Sequence, residues 1–280
     1  MSKFNRGNGI LVSLIIPALF IILWWTMASR VNNPVVLPSV SQVFALLTHP
    51  TQNLISMGSL LSNVIVSLIR VMVGYLLAVL IAIPLGILMG YYSLCYNLFN
   101  NFLGLFRPIP PLAWVPLVMA WFGVASFATL FGVGEGQLYI WLNNLKLSMV
   151  YIIFIGAFFP VVTSTIYGVR SVNKTLIDGT LVLGADSRQI FTKVLLPAAA
   201  PSIVNGMRTG LGVAWMCLVA AEMLPGSISG VGYLITHAYT VAQTDIVIAG
   251  MISIGAVGAL LDGLFRLFEN KKFKWQSMAR

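Results

Sequence analysis

Residues 174–197, KTLIDGTLVLGADSRQIFTKVLLP, form a polar-flanked segment between two long apolar segments. Asn173 can cap a short helix with one apolar side, and Gly184 stands where a left-handed C-terminal cap would end that helix. Asp186 is followed three residues later by a glutamine, which is the spacing of a capping box, so a second short helix begins there. Its apolar stripe is brought to a stop by Pro197. The segment therefore predicts a helix–turn–helix unit that the flanking apolar segments hold at a membrane surface.

The composition is that of a polytopic membrane protein. Of the 280 residues, 59% are hydrophobic and only 8% are charged, which excludes a soluble fold. A net charge of +9 would suggest nucleic acid as the partner of a soluble chain. Here the basic residues flank apolar segments and indicate topology, so we expect membrane lipid and no nucleic acid as a partner. The two cysteines, Cys95 and Cys217, are too few and too far apart for a metal cluster.

The apolar segments predict an all-α integral membrane protein with about six transmembrane helices. The first segment, residues 10–28, has the layout of a signal peptide. It is long enough to span a membrane and no clear cleavage site follows it, so we expect a retained span. The six predicted spans are residues 10–28, 60–91, 94–123, 147–169, 202–224 and 246–268. They divide the chain into an N-terminal span with an external segment (1–58) and a core (59–280) that carries a cytoplasmic loop (170–200).

The basic residues predict the orientation of these spans. With six spans and the amino terminus inside, both termini and the 170–200 loop are cytoplasmic, and most of the 16 basic residues lie on that side. These residues are Lys3, Arg6, Arg107, Arg170, Lys174, Arg188, Lys193, Arg208, Arg266, Lys271, Lys272, Lys274 and Arg280. The opposite orientation would place nearly all of them outside, against the positive-inside bias.

The loop resembles a motif of a known family, the permease subunits of bacterial ABC importers. Their cytoplasmic EAA loop reads E-A-A, three residues, a glycine, nine residues and I-x-L-P. In this chain Asp178-Gly179-Thr180 stands in place of E-A-A and Val194 in place of the isoleucine, so the acidic group is kept and the two alanines are not. In that family the loop is the coupling helix that docks into a groove on a separate ATPase subunit. The resemblance implies this role for Asp178, Gly179, Thr180, Gly184, Ala185, Val194, Leu196 and Pro197.

The same resemblance implies the remaining partners. It implies the type I ABC importer permease fold in the cell inner membrane, with a second copy of the permease beside the first. ATP and magnesium would be bound by the partner ATPase subunits, and no cofactor by this chain. A periplasmic or lipid-anchored binding protein would deliver the substrate to the outer face.

A proline-rich stretch, RPIPPLAWVPLVMAWFG from Arg107, forms the centre of the third predicted span. Its four prolines forbid a regular helix start and leave carbonyls free, which a membrane tolerates only beside protein or a water-lined path. The stretch resembles the nitrate, sulfonate, taurine and bicarbonate branch of the importer family, which implies a small anion or organic solute as cargo. The predicted path residues are Ile109, Pro110, Pro111, Leu112, Trp114, Pro116, Trp215 and Glu222.

Two ionisable residues inside apolar segments each have two interpretations. Arg70 is either a functional group or a residue that snorkels or bonds a neighbouring helix. Glu222 either gates or contacts substrate at the mouth of a path, or bonds backbone amides of the glycine-rich turn that follows it. Residues 126–147 are an excursion before the fourth span, and we assign no function to them.

Several function classes are excluded or disfavoured by what the sequence lacks. It contains no Gly-Lys dipeptide, and therefore no P-loop with which to hydrolyse ATP. His49 and His237 stand alone and no catalytic motif occurs, so we predict no enzyme, no catalytic residue and no metal site. The alternative to an importer subunit is an ion-coupled secondary carrier or a channel. That alternative is disfavoured because few ionisable groups lie near mid-membrane and no internal repeat is obvious.

Overall fold

A computed structural model describes residues 6–224 and 226–273, and within these ranges every regular element is a helix. Two isolated β-bridges, Asn53 with Ser59 and Ser126 with Lys146, close loops at one end of the bundle. The α-helices are α1 (Arg6–Val31), α2 (Val40–Thr48), α3 (Leu60–Tyr91), α4 (Ser93–Phe106), α5 (Val115–Phe122), α6 (Phe127–Leu130), α7 (Gln137–Asn143), α8 (Leu147–Arg170), α9 (Lys174–Val182), α10 (Ser187–Gln189), α11 (Leu196–Glu222), α12 (Val231–Thr240) and α13 (Thr244–Lys272). A 3-10 helix, Pro111–Trp114, precedes α5, and a π-helix, Ile190–Leu195, joins α10 to α11.

Five helical stretches are long and apolar enough to cross a membrane. They are Leu14–Val31 within α1, α3, α8, the continuous stretch Ser187–Glu222, and α13. The helices Ser93–Phe106 and Pro111–Phe122 are bent by 83° relative to each other. If this bent pair is counted as one crossing, the chain has six. The predicted all-α fold with about six spans is confirmed, and the third span is broken where the prolines cluster.

The core consists of α8 packed between α3 and α11. Glycines let these helices approach closely. A Cβ atom on Gly86 of α3 would lie 2.6 Å from the Cβ of Thr165, and one on Gly210 of α11 would lie 2.8 Å from a methyl group of Val161. Both positions therefore require glycine, and α3, α8 and α11 form one tightly packed block.

The bundle has two distinct ends. At one end, here called the α12 end, α12 packs against the start of α3 and against α13, which also contacts α2. Leu60, Leu234 and Ile246 lie in a shared apolar cluster there. At the other end, here called the α9 end, the Arg170 guanidinium lies 3.5 Å from the ring centre of Tyr96. Helix α9 follows directly, so the two ends separate the 170–200 loop from the loops around α12.

Helix α1 lies outside this block and its described side chains are largely exposed, as expected of a lipid-facing span. It contacts the short helix α2, and the indole N–H of Trp24 donates to the carbonyl of Pro38 at 3.1 Å. Ser39 caps α2 through a complete capping box with Gln42.

One local prediction is wrong: Pro197 does not end a short second helix. The helical stretch continues from Ser187 to Glu222. The chain is wound as a π-helix over Ile190–Leu195, and regular α-helix resumes at Leu196. Pro197 therefore occupies the first turn of that regular segment, where proline's missing N–H and fixed φ are tolerated.

Candidate functional site

The 170–200 loop folds as its sequence predicts up to Gly184. Asn173 caps α9 by accepting from the Thr175 N–H at 3.0 Å. Gly184 has a φ of +81°, and its N–H donates to the carbonyl of Leu181 at 2.9 Å. The N–H of the next residue, Ala185, donates to the carbonyl of Thr180 at 3.1 Å, which completes a Schellman motif. The left-handed cap is confirmed and sets the angle at which the chain leaves α9.

The second half of the loop is anchored in the bundle. Asp186 accepts from the Gln189 N–H at 2.6 Å, which is the N-cap half of the predicted capping box. Ile190 and Leu195 are buried, and Leu195 belongs to an apolar cluster with Val169 and residues of α11. The predicted apolar stripe therefore packs inward, and α9 is carried on a fixed support.

Helix α9 itself has no buried residue. Most of its apolar side chains are exposed, with Val182 88% exposed, and Leu183 directly after the helix is 86% exposed, whereas Ile177 is half-buried. An exposed apolar cluster of this kind marks an interaction surface. The predicted coupling residues, which do not include Val182 and Leu183, differ in exposure. Asp178, Gly179, Gly184 and Pro197 are exposed, whereas Thr180, Ala185, Val194 and Leu196 are half-buried.

A cavity of about 380 Å³ lies where the bend between α4 and α5 meets α8 and α11, and it opens at the surface of the chain. Two predicted path residues, Ile109 and Pro111, line it. The full lining is Arg107, Ile109, Pro111, Ile155, Gly156, Phe159, Pro160, Thr163, Ser164, Thr209 and Val213. Sequence reasoning did not single out Thr163, Ser164 and Thr209, although hydroxyl side chains inside apolar spans could have marked them.

Arg107 contacts α8 through its side chain. Its Nη2 donates to the hydroxyl of Thr163 at 2.6 Å. Thr163 lies seven residues before Arg170, the last residue of α8, which corresponds to about 10 Å along the helix. The broken span therefore folds Arg107, which is exposed, against the side of α8 about two turns before its end at Arg170. Its predicted place on the cytoplasmic side stays a prediction.

The other predicted path residues do not line the cavity. Trp215 is buried in the core, where its indole N–H donates to the carbonyl of Ile254 at 3.2 Å. Trp114 packs against the cluster that contains Val118 and Met149. Pro110, Leu112 and Pro116 are exposed on the broken span. Glu222 belongs to a separate polar network at the α12 end.

This polar network is centred on a buried ion pair. The guanidinium of Arg70 (1% exposed) and the carboxylate of Glu222 (0% exposed) lie 2.8 Å apart. Glu222 also accepts from the hydroxyl of Ser67 at 2.8 Å and from the Gly232 N–H at 3.1 Å. Of the two interpretations of each residue, the structure supports the structural one: Arg70 bonds a neighbouring helix, and Glu222 bonds an amide that follows its turn.

The excursion before α8 contributes to the same network. Arg70 donates to the carbonyl of Asn144 at 2.7 Å and to that of Ser229 at 2.6 Å, and the Ser229 hydroxyl donates to the Asn144 side chain at 3.0 Å. Lys146 lies beside it and donates to Asn143 at 3.0 Å. Burial lowers the pKa of Lys146, and the charge of Arg70 lowers it further. The network thus ties the loop before α8 and the loop before α12 to α3.

Among the described residues, no three His, Cys, Asp or Glu side chains come together as metal ligands would. The two cysteines are free, and Cys217 is buried against Gly156 of α8.

Comparison with known proteins gives the context of these features. Residues 82–274 match the family described as the binding-protein-dependent transport system inner membrane component. A putative ABC transporter permease protein of Methanocaldococcus jannaschii is 47% identical over 278 residues, covering 99% of this chain and 96% of that protein. A putative aliphatic sulfonates transport permease protein of Bacillus subtilis is 35% identical, covering 98% of this chain and 90% of that protein.

Among solved structures, an inward-facing MetNI methionine ABC transporter matches the fold with a TM-score of 0.60. The match covers 76% of this chain and 95% of that chain at 16% sequence identity, so it supports the fold alone. The family is shown by the sequence relatives, because the distant structure shows the fold alone. The chain therefore belongs to the family of inner membrane components of binding-protein-dependent transport systems, as the permease subunit of an ABC importer.

Proposed function

We propose that this permease is driven by separate ATPase subunits that grip α9, and that two copies of the chain together enclose the path for the cargo. The observation that carries the proposal is the exposed apolar surface of α9 on an otherwise polar-flanked loop. Val182 and Leu183 are almost fully exposed there, whereas the apolar side chains of the core between α3, α8 and α11 are buried. A partner protein that covers them would remove this surface from water.

The way α9 is attached suits it to transmit force. The Schellman motif at Gly184 fixes the angle between α9 and the next helix. That helix continues without interruption to Glu222, through the packed core. A displacement of α9 would therefore pass directly to α11, which lines the cavity with Thr209 and Val213.

The shape of the cavity supports a pair of copies. The bend after α4, together with α8 and α11, forms its walls, and its remaining side is open at the surface of the chain. A second copy placed against this side would close it into a path. A periplasmic or lipid-anchored binding protein would then approach from the α12 end, opposite the ATPase.

The same assignment gives the membrane topology. The α9 end carries Arg170, Lys174, Arg188 and Lys193, and the positive-inside bias places it in the cytoplasm. With six crossings, the bent pair counted as one, this topology would have both termini on the cytoplasmic side of the cell inner membrane, and the number of candidate spans supports it. ATP and magnesium belong to the partner subunits in this assignment, and this chain binds neither.

A small anion or organic solute is the proposed cargo, of the class that includes nitrate, sulfonates, taurine and bicarbonate. Two facts support this class. The Bacillus subtilis relative is named for aliphatic sulfonates. In addition, Arg107 is the charged residue among those that line the cavity.

The coupling role is tested by placing a charge on the exposed surface of α9. Leu183→Glu should leave membrane insertion normal, because its side chain touches no span, and should lower co-purification of the ATPase and ATP-driven uptake at least fivefold. Ile228→Glu is the matched control, since Ile228 is also an exposed apolar residue but lies at the α12 end. It should leave ATPase association unchanged.

Full ATPase association with Leu183→Glu would remove the coupling role from α9. The carrier alternative is tested separately in proteoliposomes, by comparing uptake driven by ATP with uptake driven by a proton or sodium gradient. Uptake that follows the ion gradient and ignores ATP would favour an ion-coupled carrier over the proposed mechanism.

A further inference from the structure

The walls of the cavity combine apolar surface with polar groups of one kind. Ile109, Ile155 and Phe159 contribute apolar surface. The polar side chains are the guanidinium of Arg107 and the hydroxyls of Thr163, Ser164 and Thr209. No carboxylate is among the lining residues, and in the described part of the chain none lies within ion-pair distance of Arg107. The lining of the cavity therefore carries a positive charge and no negative one.

Most of the donors at this site have no acceptor within the described chain. A guanidinium has five N–H groups. Arg107 uses one of them, from Nη2 to the hydroxyl of Thr163 at 2.6 Å. Thr163 accepts that bond, so its own hydroxyl hydrogen stays available. The free edge of the guanidinium and this hydroxyl offer donors suited to a group with several oxygen atoms.

The depth of the site makes these free donors informative. Phe159 and Pro160 lie at the middle of α8, and Thr163 is one turn further along. Arg107 is exposed in the single chain beside this part of α8. A charged side chain alongside a membrane span is costly unless it faces a partner or water. Pro160 has no N–H with which to bond the carbonyl of Gly156, and both residues line the cavity. The site is thus built to hold water or a polar guest.

We propose that Arg107, Thr163 and Ser164 form a binding subsite for the oxyanion group of the cargo as it passes through the permease. The guanidinium presents parallel N–H groups that match sulfonate, nitrate or bicarbonate oxygens, and the hydroxyls of Thr163 and Ser164 donate to the remaining oxygens. The Thr209 hydroxyl donates to the carbonyl of Asn205 at 3.0 Å and contributes to the wall only. A volume of about 380 Å³ admits such a small anion with some water. The apolar wall formed by Ile155 and Phe159 accommodates a short carbon chain. This subsite rests on the proposed path through the cavity.

The charge preference of the cavity can be measured without knowing the cargo. We would place a cysteine at Val213, which lines the cavity but is not a proposed ligand, after removing native thiols with Cys95→Ser and Cys217→Ala. The full permease with its ATPase, in lipid, is treated with an anionic sulfonatoethyl or a cationic trimethylammonioethyl methanethiosulfonate. The reaction rate of each reagent with the Val213 cysteine is divided by its rate with a free thiol in solution. The ratio of the two normalised rates then reports the local electrostatic potential.

The anionic reagent should react about tenfold faster than the cationic one on this normalised scale, since one positive charge faces the target in a low dielectric. Arg107→Gln should abolish the preference, and Arg107→Lys should restore it because the charge returns. Arg266→Gln is the matched control, because Arg266 is an exposed arginine of α13 paired with Asp262, and it should leave the preference unchanged. A preference that survives Arg107→Gln, or one that favours the cation, would overturn the subsite.

Protection by ligands supplies a second readout. Ethanesulfonate or nitrate should slow the reaction of the Val213 cysteine with neutral methyl methanethiosulfonate at least threefold, and choline should not. The protection should require Arg107. Equal protection by choline, or protection that persists with Arg107→Gln, would contradict an oxyanion site.

These outcomes are separate from the test of coupling. The reactivity measurements need no ATP, so an anion preference with no ATP-driven uptake would contradict the proposed function and retain the subsite. ATP-driven uptake with no anion preference would support the proposed function and contradict the subsite.

Discussion

Removing the carboxylate of Glu222 should destabilise the α12 end of the permease strongly. Arg70 is 1% exposed, and Glu222→Ala would leave its charge buried without a counter-ion. Its hydrogen bonds to the carbonyls of Asn144 and Ser229 would remain, but neither carries a formal negative charge. Breaking one side of a buried pair costs about 3–5 kcal/mol. Against a total stability of about 5–15 kcal/mol, this is a large fraction.

The substitution also leaves two donors without their acceptor. Ser67 and the N–H of Gly232 both donate to Glu222. The isosteric Glu222→Gln keeps one oxygen but turns an amide nitrogen towards these donors, so it should be milder and still destabilising. The double variant Arg70→Gln/Glu222→Gln should recover part of the loss, because it removes the buried charge altogether.

Thermal unfolding of the purified permease in detergent would measure these differences. The melting temperature of Glu222→Ala should fall on the order of 10 °C, since about 1 kcal/mol corresponds to about 2–4 °C in a chain of this size class. Arg266→Gln breaks an exposed pair of the same chemistry and should shift it by about 1–2 °C at most. If Glu222→Ala matched that control, or if the double variant were simply additive, the network would not be an energetic unit.

Three further predictions follow from glycines and from the cavity. Gly184→Val should strain the turn after α9 by about 1–2 kcal/mol, because its φ is +81°, and should reduce ATPase association with insertion intact; full uptake would contradict this. Gly210→Ala should lower the melting temperature, since the added Cβ would lie 2.8 Å from Val161, whereas Gly212→Ala faces open space and should not; equal shifts would refute the close packing. Cysteine at Ile109 should react with water-soluble thiol reagents and cysteine at Trp215 should not, because only the former residue lines the cavity; the opposite order of labelling rates would show that the cavity is misplaced.

Features set by neighbouring residues could be predicted from the sequence. Helix α3 has the bounds of its apolar segment, Leu60–Tyr91, because hydrophobic length and a serine cap define it locally. The cap at Asn173 and the left-handed Gly184 were also predictable, since each depends on a few adjacent positions.

Features set by distant contacts could not be predicted. The side chains of Arg70 and Glu222 are 152 residues apart in sequence, so neither span alone reveals their pairing. The sequence does not predict the contact of Arg107 with Thr163, because that contact depends on the 83° bend between two helices. Pro197 is predicted to end the helix because proline usually interrupts a helix, and the local sequence does not predict the π-helix that precedes it.

One continuous helical stretch, Ser187–Glu222, joins the 170–200 loop to the buried ion pair, which gives it the geometry of a lever arm. Helix α11, Leu196–Glu222, has 27 residues and is about 40 Å long. A tilt of about 5° at its lower end would swing the tip at Glu222 by about 3–4 Å. Hydrogen bonds survive only over a few tenths of an ångström. If α11 tilts as a rigid rod, the start of α12 therefore travels with the tip or the ion pair opens, so a tilt that begins at the α9 end also moves residues at the α12 end.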